Sequence, residues 1–196
     1  MSAIEEYLEL VDHIYGVYLD STTGFDLVKK RMEDSQKNSL KMLKEKYPEL
    51  ANQEYQDTTA MIYGKGDPNT PEAVELHRCT QGQYKSRNSE AGDNFKFIGN
   101  MCLISLYQYW EDHYRSKVAN LFEMPKNELK APILGDLRLL RHSIIHHAGI
   151  ALKEIEKSEV LKWYKEGDNI FVSKSQFEDV IYRLKELMLG YKQQKN

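Results

Sequence analysis

FKFIGNMCLISLYQYWEDHYRSKVANLF, residues Phe95–Phe122, is the most apolar stretch of the chain. Its length and apolar period predict a central buried helix, and a helix of that kind needs others packed around it. The beginning of the chain supplies one. Ile4, Tyr7, Leu8, Val11, Ile14 and Tyr15 recur at three- and four-residue spacings. DSTTGF disturbs the pattern near Gly24, after which Leu27, Val28, Met32, Leu40 and Leu43 carry it to Pro48. One long helix and two stacked helices fit this pattern equally.

Later segments add further helices. Pro132 suits a first-turn position, so a helix is predicted from near Ala131, with Gly149 either ending it or allowing close packing. A short helix around EVLKWYK, the turn EGDN and an extended IFVS (Ile170–Ser173) follow. A last helix has Ser173 as N-cap and Gln176 at the capping-box position. Residues 52–93 are the least regular. GKGDPNTP (Gly64–Pro71) and SRNSEAGDN (Ser86–Asn94) read as polar turns, with a short helix expected from Pro71 to about Thr80. The predicted fold class is all-α. It is a helical bundle formed by one domain over residues 1–196, with a loop-rich central insertion at 52–93 and a short C-terminal helical tail.

With 41% hydrophobic and 29% charged residues, the composition is that of a globular helical protein. A net charge of −3 argues against a generally basic nucleic-acid coat but leaves room for a local cationic site. Cys79 and Cys102 form no spaced framework, which points to a reducing compartment. No signal peptide and no membrane-length apolar run is expected, so the chain reads as cytoplasmic, without a membrane.

RHSIIHH, Arg141–His147, concentrates cationic and titratable chemistry in one short stretch. On a helix turning about 100° per residue, Leu137, Leu140, Ile144, Ala148 and Ala151 face the core. Arg138, His142, Ile145 and Gly149 run along the opposite strip, flanked by Arg141 and His146, while His147 points elsewhere. His142 and His146 have a zinc-compatible i, i+4 spacing, but HSIIH is not HExxH and no third ligand is evident. GKG lacks the spacing of a phosphate loop, and Cys–His nucleophilic chemistry has no support beyond the residue types. Acid–base work on a phosphodiester fits better, with imidazole moving protons and guanidinium holding charge on phosphate oxygens. The competing structural use is an arginine paired with a carboxylate and histidines capping carbonyls.

In YWEDHYR (Tyr109–Arg115), Glu111 and Arg115 are spaced to pair with each other. Trp110 and Tyr114 read as core or interface. Glu111 or Asp112 is a candidate to line a cleft and hold a motif side chain. KKRMEDSQKNSLKMLKEK mixes charge signs and reads as a solvated helix face.

Arg141-His142-Ser143-Ile144-Ile145-His146 resembles the R-x4–6-H motif of the HEPN superfamily, in the form where a polar residue follows the arginine. The resemblance extends from about Phe95 onward and, in general character, to the N-terminal helix. It implies a helical bundle that dimerises through the motif-bearing helices. It also implies a metal-independent, cofactor-free endoribonuclease of toxin–antitoxin or phage-defence type, with an antitoxin or defence-system partner. Arg141 would then bind the scissile phosphate, His146 would act as general acid or base, and His142 would orient the site. Arg138 and His147 crowd the motif, with His147 as an alternative to His146, and Glu111 is a supporting candidate. HEPN toxins controlled by a nucleotidyltransferase carry a tyrosine two residues past the motif histidine. Here that residue is Ala148, so such control is not implied. The rival from another class is a non-catalytic nucleotide- or RNA-binding or dimerisation module using the same cleft.

Overall fold

A computed structural model describes residues 2–195. The chain is mostly helical, with one two-stranded sheet. It divides into two compact units: residues up to Ser21 together with Lys96 onward, and Thr22–Phe95.

The first helix, α1 (Ala3–Lys46), is continuous. DSTTGF does not break it: the Ser21 hydroxyl donates to the Val17 carbonyl at 2.7 Å, one turn back, and so stays compatible with the helix. Within the first unit, α1 buries Ile4, Tyr7, Val11, Ile14 and Tyr18. Against them lie α4 (Asp93–Tyr109), a single π turn at Trp110–Tyr114, and α5 (Arg115–Leu121), which together form the expected apolar stretch. At the π turn the Arg115 N–H reaches the Trp110 carbonyl. Trp110 is buried, its ring 5.2 Å from that of Tyr7, and the Tyr7 hydroxyl donates to the Leu106 carbonyl at 3.1 Å. Gly99 on α4 is required by close approach, because a Cβ there would lie 2.8 Å from the Val172 carbonyl oxygen.

Two further helices complete this unit: α6 (Pro132–His146), begun by Pro132 as expected, and α7 (Lys174–Lys195). Ser173 and Gln176 form the predicted capping box, with reciprocal bonds of 2.9 and 3.3 Å. The C-terminal segment is not a short tail. Phe177, Val180, Ile181, Leu184 and Met188 are buried in the core, and the Tyr191 hydroxyl donates to the Lys130 carbonyl at 2.8 Å. EVLKWYK is not a helix either. The backbone N–H groups of Glu159, Val160 and Leu161 donate to the buried Asp136 carboxylate at 2.9, 2.7 and 2.7 Å, which ties the start of this segment to α6.

The second unit is more regular than the loop-rich insertion expected for 52–93. It contains α2 (Gln53–Thr58), β1 (Ala60–Lys65), β2 (Val74–Thr80) and α3 (Gln81–Arg87). The strands pair antiparallel from Ala60↔Thr80 to Lys65↔Val74, with an irregularity at Tyr63/Gly64. The helix expected at 71–80 is therefore a strand. Thr80 ends it and starts α3, accepting from the Gln83 N–H at 3.1 Å while Gln83 accepts from the Thr80 N–H at 2.8 Å.

Among the described residues no helix is long and apolar enough to cross a membrane. Cys102 lies buried on α4, and desolvation pushes its thiol up to about 11. The native protein is expected to leave Cys102 unalkylated by iodoacetamide at pH 8, with labelling of that peptide appearing only in denaturant. Native labelling at a free-thiol rate would contradict the packing.

Candidate functional site

The motif occupies the last turns of α6. Leu137 and Leu140 are fully buried, as the helical pattern requires, and Arg138, His142, Ile145 and His146 are exposed. The helix ends earlier than the pattern suggests. His147 leaves helical geometry, Ala148 takes φ +51° and Gly149 φ +82°. The His147 and Gly149 N–H groups both return to the Ser143 carbonyl, at 3.1 and 3.2 Å. Ala148, Gly149 and Ala151 thus lie beyond the helix, and Gly149 is buried in the exit turn instead of lining an exposed strip.

This early ending gathers the imidazoles. The His142 ring centroid lies 5.0 Å from that of His146 and 5.6 Å from that of His147. His147, expected to point elsewhere, joins the group because the exit turn redirects it. None of these three side chains makes a hydrogen bond among the described residues, and the buried Nε of Arg141 has no partner. The structural use considered for these residues, an Arg–carboxylate pair with carbonyl-capping histidines, is not what they do. Replacing Gly149 by alanine forces a side chain into a left-handed turn and is expected to cost about 1–2 kcal/mol. Chemical denaturation would read that cost, and an unchanged midpoint would exclude the strain.

Arg138 and Glu111 come together in a cleft of about 490 Å³. Tyr107, Trp110, Arg115, Asn127, Lys130 and Glu159 also line it. Glu111 does not hold Arg141 or a motif histidine. It accepts from Arg115 at 2.9 Å and pairs with Lys126 at 3.5 Å. Asp112 accepts from Gln108 at 2.6 Å, outside the cleft lining.

Tyr107 lines the cleft together with Arg138, which precedes Arg141 by three residues on α6, and the sequence alone does not single it out. Burial, and next the Glu111 carboxylate, raise its hydroxyl above the usual phenol range, while Arg138, Arg115 and Arg141 act in the opposite direction. The phenol is therefore a neutral donor at physiological pH, within the field of three guanidiniums. Such a place suits an anionic oxygen. Tyr107, Glu111 and Arg115 recur every fourth residue, and that spacing was the available signal for a shared face. Among the described residues no group of three or more His, Cys, Asp or Glu side chains could hold a metal ion.

Comparison with family models, with curated proteins and with solved structures finds no match to this chain.

Proposed function

We propose that this chain is a HEPN-like, metal-independent RNA endonuclease working as a homodimer through α6. The supporting observation is the set of uncommitted donors at the end of that helix. The buried Arg141 Nε lacks a partner, and His142, His146 and His147 cluster without hydrogen bonds. A buried donor left unpaired costs about 1–3 kcal/mol, which a bound phosphate oxygen would recover.

The chemistry follows from these groups. A ribose 2′-hydroxyl attacks the adjacent phosphorus, the bond to the 5′-oxygen breaks, and the products are a 2′,3′-cyclic phosphate and a 5′-hydroxyl. His146 takes the 2′ proton as general base, and the leaving 5′-oxygen takes its proton from solvent. Arg141 holds the charge that builds on the non-bridging oxygens, with Arg138, three residues earlier on α6, as a second cation. Ile145, 46% exposed between the flanking groups, is the apolar contact for the second copy. A toxin or phage-defence setting, with an antitoxin or other defence protein as partner, belongs to the same reading.

Incubating the protein with end-labelled RNA in EDTA tests it. Cutting that leaves cyclic phosphate ends supports the nuclease. RNA binding without cutting replaces it with a binding module, and activity abolished by EDTA revives a His142/His146 metal site.

A further inference from the structure

The lysine-rich face of α1 acquires a second wall that its sequence does not reveal. Lys37, Lys41 and Lys44 are spaced by four and three residues, so they form one ridge rising about 10 Å along the helix at about 1.5 Å per residue. With Leu40 between them, they line a groove of about 530 Å³, closed on its other side by Gln53 of α2 and Lys85 of α3.

The floor of this groove is built and rigid. Gln36 is only 3% exposed and uses both ends of its amide. Its nitrogen donates to Asp57 and to Gln81, each at 3.0 Å, and its oxygen accepts from Gln53 at 2.9 Å and Lys85 at 2.8 Å. Lys85 pairs with Asp57 at 2.6 Å, so this half-buried carboxylate beside the floor is already neutralised. Glu33, the acidic residue at the groove's edge, pairs with Lys29 at 3.9 Å. Lys37, Lys41 and Lys44 have no carboxylate partner among the described residues. A concave wall of unpaired ammonium groups over a neutralised floor attracts polyanions, even on a chain of net charge −3.

We infer that this groove binds the phosphodiester backbone of single-stranded nucleic acid. Two features favour a single strand. Leu40 offers an apolar rest between the cations, and half-exposed tyrosines lie close by in sequence. Tyr47, 54% exposed, follows Lys44 by three residues, and Tyr55, 43% exposed, follows Gln53 by two. Cationic grooves with exposed aromatic rings are the usual means of holding single strands without base reading. The inference stands apart from the catalytic reading, since every lining residue lies in the Thr22–Phe95 unit and none belongs to the motif.

The test is binding of a fluorescein-labelled single-stranded RNA to the full chain in EDTA, followed by anisotropy from 50 to 300 mM salt. The Arg141→Ala background prevents cutting. Adding Lys37→Gln, Lys41→Gln and Lys44→Gln is expected to weaken binding about tenfold or more. It should also flatten the slope of log affinity against log salt by about 2, at about 0.7 per lost phosphate contact. Circular dichroism should not change, because these lysines hold nothing in place. The matching triple change at exposed Lys153, Lys157 and Lys162 should leave both quantities as they were. Single-stranded DNA should behave like RNA, since ammonium groups read phosphate and not the 2′-hydroxyl. Equal losses in both triple variants, an unchanged slope in the groove variant, or binding confined to duplexes or anionic lipid vesicles would overturn the inference. Failure of cleavage with an intact groove effect would reject the nuclease alone.

Discussion

Arg141→Ala is expected to lower RNA cleavage in EDTA by about 10²–10³, the effect of removing one preorganised donor from developing negative charge. His146→Ala should lower it by about 10²–10⁴, the range for a lost general acid–base group. His147→Ala should cost less than tenfold, because His147 sits on the exit turn and reaches the cluster only through His142. Neither the Arg141 nor the His146 change should lower the unfolding midpoint much, since neither side chain makes a hydrogen bond among the described residues.

Mixing the two inactive proteins is the sharper measurement. If two copies share one cleft, a dimer of one Arg141→Ala and one His146→Ala protomer keeps an arginine and an imidazole. It should exceed either homodimer in rate. A mixture no faster than its components would exclude the shared site, whatever each single variant does.

Asp136→Ala is expected to destabilise the protein by about 3–5 kcal/mol. The carboxylate is 2% exposed and accepts three backbone N–H bonds, and removing it leaves those donors buried without a partner. At about 2–4 °C per kcal/mol for a chain of this size, the thermal midpoint should fall by roughly 10 °C. Asp136→Asn should cost less, because one oxygen can still serve Val160 and Leu161, which share Oδ2. A loss below about 1 kcal/mol would show that the 158–165 segment is held by packing instead. The same change should weaken the cleft, since Glu159, which Asp136 anchors by its backbone, forms part of its wall.

Glu5 lies near the N-terminus and Lys192 near the C-terminus of the described chain. The Lys192 ammonium, bonded to Glu5 at 2.7 Å, holds that carboxyl down to about 2. A depressed carboxyl contributes stability above its unfolded value near 4.5, and that contribution is lost as pH falls toward 2. Glu5→Gln should therefore leave a shallower loss of stability between pH 4.5 and 2 than the unaltered chain shows. Parallel curves would exclude the link.

The elements legible in the sequence are those whose signal is local. The periodicity of Ile4, Tyr7 and Val11, the first-turn Pro132 and the Ser173–Gln176 box each depend on neighbours within about a turn. The strand at Val74–Thr80 was missed because its partner lies at Ala60–Lys65, beyond any window that reads periodicity. EVLKWYK has the local pattern of a helix, and nothing local says that the segment is tied to Asp136, more than twenty residues earlier. The motif's residue types were readable, but the meeting of His142 with His147 was not, because a helical wheel cannot anticipate an exit turn through Ala148 and Gly149.

By itself, the sequence determined that this chain is built mainly of helices, where several of them begin, and that Arg141 and its histidines share one stretch. Only the tertiary structure decided that Glu111 also pairs with Lys126, that Tyr107 and Arg138 line one cleft, and that a solvated lysine face is one wall of a groove. The division has a physical cause. Helix propensity and capping act over a few bonds, whereas charge pairing, burial and clefts arise between segments that only the folded chain brings together.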